Sequence, residues 1–269
     1  VQAKVQSADS TNKINPVNPE FLFDAPYVST YYFNPKPSAN EEKAGDDLKY
    51  RSTDGSAPIP MEREEFIEMI KERAKSVPRE NESERLSYAV LEWIYEHIRL
   101  NKGLGIFPHP YWLCQMMQLP EDYTEFIYEN SPFDAFEVLG GENIFSHNGF
   151  QTGLYYEMKA KGFDRPVVGS TDSHGSTEHN RNALICSTIV FAKENERFEI
   201  IDAIKNKYSV AVDTISSEYR LVGDFRWIKY ASFLMENYFP LHDLACEAEG
   251  YYMNRYVAGD QRAKNVLKE

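Results

Sequence analysis

Asp172 and His174 stand two positions apart in Val167-Val168-Gly169-Ser170-Thr171-Asp172-Ser173-His174-Gly175, where a short apolar run gives way to small polar residues. A strand leaving a buried core and becoming a functional loop reads this way. On an extended backbone, positions i and i+2 face the same side, so a carboxylate and an imidazole would project together. Oxygen and nitrogen donors paired like this suit zinc, iron or manganese, and the residue types do not choose among the three. A second imidazole, His109, lies in Gly103-Leu104-Gly105-Ile106-Phe107-Pro108-His109-Pro110-Tyr111-Trp112. Pro108 and Pro110 restrict the backbone on both sides of it, and a metal ligand must be held in place before the ion arrives. Glu137, in Asp134-Ala135-Phe136-Glu137-Val138-Leu139, adds a further carboxylate. Taken singly, each motif also has a plain reading as an ordinary turn.

The elements that must position these residues follow from periodicity. Residues 1–60 carry many turn formers and no sustained period, with Phe21-Leu22-Phe23 and Tyr27-Val28-Ser29-Thr30-Tyr31-Tyr32-Phe33 as short strand candidates. From Met61 the pattern becomes helical, with acids in the first turn, bases later, and Phe66, Ile67, Met69 and Ile70 on one face, up to Pro78. Leu86, Val90, Trp93, Ile94 and Ile98 predict a second helix from about Ser83 to Gly103. Strands are expected at Leu104–Phe107, Asp134–Leu139, Val167–Val168, Ile185–Phe191 and Tyr208–Val212. Helices are expected between Pro120 and Asn130, over Leu154–Lys161 and over Asn195–Asn206, and two more, Trp227–Phe239 and His242–Tyr256, on the outside. The alternation from Met61 to Val212 calls for a parallel sheet or barrel with helices around it. In such folds function collects at the C-terminal ends of the strands, which is where His109, Glu137, Asp172 and His174 are expected.

Composition limits the classes of function. A chain of 269 residues can bury a full core, and one α/β domain is the simplest organisation. A net charge of −13 with no local Lys/Arg cluster argues against a surface for nucleic-acid phosphates. Bound divalent cations would offset part of that charge. Cys114, Cys186 and Cys246 are far apart and odd in number, which suits free thiols in a reducing compartment. No apolar stretch reaches membrane-spanning length and no secretion-signal core is present near Val1, so a cytoplasmic location is expected, with no membrane partner.

With their order and spacing, these motifs resemble the C-terminal half of a PHP domain, the polymerase and histidinol phosphatase superfamily of metal-dependent phosphoesterases. Gly103 to Pro110 resembles the family's His-Pro motif, Phe133 to Val138 its strand ending in Glu-Val, and Gly169 to Gly175 its closing Ser-Asp-x-His motif. Ser187 to Ala192 and Glu199 to Tyr208 resemble the family's ending, so the likeness covers about residues 84 to 212. The resemblance implies a distorted (β/α)7-type barrel with extra C-terminal helices. Its parts would be an irregular N-terminal segment with short strands (1–60), the barrel portion (61–215) and helices packed on the barrel (216–269). It implies divalent metal ions held by His109, Asp172 and His174, with Glu137 beside them or among them. A small phosphorylated substrate would be met by His147 and His179 in neighbouring loops and by Tyr111, and no single catalytic residue is assigned. The family opens with a His-x-His strand, whereas no histidine here precedes His97. The chain is therefore expected to be the C-terminal part of a longer protein, or a PHP-like module that has lost part of its site and serves a structural or partner-binding role.

Overall fold

The computed structural model describes residues 63–111, 119–140, 145–172, 186–214 and 219–268. Helix α1 (Arg63–Ala74) and helix α2 (Glu82–Leu100) pack against each other. Asn81 caps α2 by accepting a hydrogen bond from the Ser83 amide. Phe66, Ile70 and Ala74 pack on Leu86, Ala89, Val90 and Trp93, with the Phe66 and Trp93 rings edge to face at 4.8 Å.

There follow β1 (Ile106–Phe107), α3 (Glu121–Asn130), β2 (Ala135–Leu139), α4 (Phe145–Ala160) and β3 (Val167–Gly169). The three strands make a parallel sheet in the order β1-β2-β3. Every residue of β2 is buried, as expected for a central strand covered on both faces. Alternation along it sends Phe136 and Val138 into a core with Phe107, Tyr128, Tyr155, Met158 and Val167. Ala135 meets Val168 and Ile204 in a second, smaller cluster. The register slips between Glu137 and Leu139, a bulge of the kind that re-aims a side chain near a strand end.

The second half is built from β4 (Cys186–Val190), α5 (Arg197–Lys205), β5 (Ser209–Asp213) and β6 (Arg220–Gly223), followed by α6 (Phe225–Asn237), α7 (Phe239–Val257) and the short α8 (Ala263–Val266). Its strands form an antiparallel sheet, β4-β5-β6. This overturns the expected (β/α)7 barrel. Among the described residues there are two three-stranded sheets of opposite type, and they close no barrel. The physical reason is that hydrophobic periodicity reports burial and leaves ladder direction open; β4 and β5, joined through α5, pair antiparallel. The two sheets meet side by side through side chains. Thr188 Oγ1 accepts from the Gly169 amide at 2.9 Å and donates to the Gly169 carbonyl at 2.7 Å, and Ser209 Oγ donates to the Val167 carbonyl at 2.8 Å. Gly169 is required by this approach, since a Cβ there would lie 2.3 Å from the Ser187 carbonyl oxygen. No described helix is long and apolar enough to cross a membrane.

Candidate functional site

Glu137 is the residue through which the sheet gathers the expected site. It sits in the middle of β2, not at its end, and only 1% of it is exposed. One carboxylate oxygen, Oε2, accepts a hydrogen bond from the His109 backbone amide at 2.8 Å. The other, Oε1, is the partner of the Ser170 hydroxyl. His109 follows β1 and Ser170 follows β3, so one buried side chain on the central strand ties together the loops leaving its two neighbours. A bond from the Ser170 amide to the Leu139 carbonyl, 3.0 Å, keeps the third loop alongside. Asp172 lies two residues further on, half-buried, at a left-handed φ of 46°. An Asp tolerates that conformation better than most residues, though at some cost, and such strain is characteristic of functional loops.

These groups also act on one another electrostatically. Burial holds the Glu137 carboxyl above the ordinary carboxylate range. His109, through its charge and its amide, and the Ser170 hydroxyl favour the ionised form, while the Asp172 carboxylate works against it. The Asp172 carboxylate and the loop bearing His109 are thus held beside one buried carboxylate, and carboxylate and imidazole are donor types that a divalent cation takes. That is the respect in which the residues present fit a metal. Among the described residues, no three of His, Cys, Asp and Glu stand together as a ready metal-binding group. His174, the expected third ligand, lies outside the described residues, as does His179.

Two other expected residues are placed elsewhere. His147 lies in the first turns of α4 instead of a loop, and is 4% exposed. The Tyr111 ring packs against Phe150 of α4 at a centroid distance of 5.6 Å. Burial and the nearby Glu121, Glu125 and Glu157 push its hydroxyl up to about 12. None of those acids belongs to the Glu137 group.

A layer of polar side chains behind Glu137 was not anticipated. Gln151 Nε2 donates to the Glu137 carbonyl at 3.0 Å, and Asn148 Oδ1 accepts from the Gly140 amide at 2.8 Å. Both side chains come from α4 and are buried. They bond the backbone of β2 beside its register shift and at its exit. Cys186 lies beside them, its sulfur 3.8 Å from the Asn148 amide nitrogen and from the Gly140 carbonyl. Burial, with help from Asp213, pushes its thiol up to about 12, so it is a packed and unreactive group. The signal that would have found this layer is the spacing His147, Asn148, Gln151, Leu154, Tyr155, Met158, a helical stripe whose first half is polar.

Comparison with known protein families, with curated proteins and with solved structures returned no match.

Proposed function

We propose that the chain is a metal-dependent hydrolase of the phosphoesterase type, acting on a small phosphorylated substrate. The supporting observation is the Glu137 junction: the carboxylate that fixes the His109 amide and the Ser170 hydroxyl brings two donor-bearing loops to one end of a parallel sheet. His109 and Asp172 would hold the ion, together with His174 by its spacing from Asp172. A zinc, iron or manganese ion held there supplies Lewis acidity, lowering the pKa of water and offsetting charge on a phosphoryl oxygen. Glu137 is a positioning residue in this account. Its two oxygens are already engaged by protein donors, and it orients the His109 backbone and the loop leading to Asp172. The PHP-like order of motifs supports the choice of phosphate esters over other hydrolysable groups, and the reading does not depend on a barrel. The widely spaced cysteines, with Cys186 a buried free thiol, favour a reducing compartment such as the cytoplasm.

A second reading is a PHP-like module without catalysis, serving a structural or partner-binding role. It rests on one observation, that the chain has six histidines and none precedes His97, so the family's opening ligands have no counterpart here. A screen of purified protein against phosphomonoesters and phosphodiesters, with zinc, iron and manganese supplied in turn, separates the two. Hydrolysis abolished by Asp172→Ala supports the enzyme. No turnover with any metal, in protein that nonetheless retains metal through His109 and Asp172, supports the module.

A further inference from the structure

We propose that α7 is a self-association surface whose partner is a second copy of this chain, the two helices lying antiparallel across a two-fold axis. None of the 19 residues of α7 is buried. In proteins most helical stability comes from packing one apolar face. With Gly250 in its interior and Asp243 and Asn254 of low propensity, α7 has little intrinsic stability to take the place of packing. Its apolar residues are nonetheless ordered. Leu241, Leu244, Ala248 and Tyr251 recur at alternating spacings of three and four, the period that keeps one seam turned toward a partner helix, with Ala245 and Tyr252 beside them. Leu241 is 70%, Leu244 64% and Tyr251 57% exposed. Asp243, Cys246 and Gly250 fall on the opposite side of the helix.

The seam fits a copy of itself in one direction. Antiparallel, Leu244 of each copy meets Ala248 of the other, large against small, and Leu241 meets Tyr251 at the two ends. A two-fold axis makes each contact twice, as an isologous interface requires. Parallel pairing would set Ala248 on Ala248 and the Arg255 charge on itself, whereas the antiparallel register carries Arg255 past the joint, where it keeps its bonds to the Tyr251 hydroxyl and Asp260. Glu247, beside the axis, comes near its own counterpart, a repulsion that salt screens. The area is sufficient. Tyr238, 52% exposed, and Tyr256, 37% exposed, border the seam. A large apolar side chain carries roughly 150–200 Å², so these two with Leu241, Leu244 and Tyr251 present about 500 Å² per copy and about 1,000 Å² for the pair, the size at which a specific interface becomes stable. Most of the large apolar side chains left exposed on the described chain lie between Phe225 and Val266, so this end of the molecule is where cover is needed.

The test is sedimentation of the full chain over a concentration series, with hydrogen exchange on the same samples. The expected result is reversible dimerisation at the micromolar end of the range for such interfaces, tightened by added salt. Leu241→Ser/Leu244→Ser removes both leucines from each copy and should weaken association by about a hundredfold or more. Leu100→Ser, at a leucine 63% exposed but outside α7, should leave it unchanged. Because α7 buries nothing within its own chain, the dilute double variant should keep the denaturant midpoint of the dilute unaltered chain, so that loss of the dimer is not loss of the fold. The α7 amides should exchange more slowly as concentration rises. A chain monomeric at every concentration, or a dimer that survives the double substitution or dissociates in salt, overturns the proposal. So does protection of α7 that is independent of concentration, which would mean that another part of the same chain covers the seam.

Discussion

Gly140→Ala probes the Glu137 junction without replacing any residue that bonds within it. A methyl group at Gly140 would stand 2.7 Å from Glu137 Oε2 and 2.8 Å from its Cδ, where ordinary contact begins at 3.4 Å. The carboxylate must therefore retreat by about 0.7 Å to restore contact distance. A loose surface carboxylate would do so at little cost. Here Oε2 is held by the His109 amide at 2.8 Å and Oε1 by Ser170, and a retreat of that size stretches the first bond to about 3.5 Å, beyond hydrogen-bonding range. Gly140→Ala is expected to cost about 1–3 kcal/mol, as overpacking does in a tight site. Glu137→Ala deprives the amide and the hydroxyl of their acceptor and should cost about 2–4 kcal/mol. Once Glu137 is truncated the methyl has nothing to strike, so the double variant should be more stable than the two single costs imply by about 1–2 kcal/mol, within the range seen for contacting residues. Urea unfolding of the four proteins, compared at constant m, closes the cycle. Costs that add to within about 0.5 kcal/mol would show that Gly140 and Glu137 act independently and that the junction is not rigid.

Two further outcomes follow from burial. Cys186, fully buried with its thiol pushed up to about 12, should resist alkylation in native protein and react only on unfolding, whereas Cys246 on exposed α7 reacts at once; peptide mass spectrometry after brief labelling reads both. Phe136→Ala, in the centre of the aromatic core, should cost about 3–5 kcal/mol, whereas Leu244→Ser, at a side chain 64% exposed, should change stability by no more than about 0.5 kcal/mol, with denaturant midpoints deciding.

Where burial and periodicity coincide, the strands were legible. Asp134–Leu139 anticipates β2 to within one residue, and Ile185–Phe191 and Tyr208–Val212 anticipate β4 and β5 equally well. Each is a run rich in β-branched or aromatic residues; β2 and β5 are buried throughout, as packing on both faces requires, whereas only Cys186 of β4 is fully buried. Ladder direction was not legible, because the same apolar run serves either sheet type, and this is why a barrel was expected where an antiparallel sheet stands. Strand β6, Arg220–Gly223, has four residues and no period of its own; its pairing with β5 defines it. Helix α4 was expected from Leu154 but begins at Phe145. Its early turns bury His147, Asn148 and Gln151, polar residues that count as exposed in a hydrophobic pattern and are buried because two of them bond to the β2 backbone and its exit. The outer helices were anticipated in place, but α7 has no buried residue, so its packing is lighter than helices laid on a barrel would show.

Within the site, His109 and Asp172 were expected as ligands from residue type; the structure sets the His109 amide on the Glu137 carboxylate and Asp172 two residues past Ser170, its other partner. What spacing could not give was the role of Glu137. Its carboxylate reads in the sequence as a possible ligand, whereas its burial and its two protein partners make it the group that holds the loops together. Ser170, a small residue in a loop of small residues, carried no signal of its own.

Elemental analysis of the purified full chain tests the central claim most directly. The account predicts zinc, iron or manganese in stoichiometric amount, lost in His109→Ala and in Asp172→Ala, both still folded. Protein free of transition metal after reconstitution, or metal content unchanged by either substitution, would contradict it.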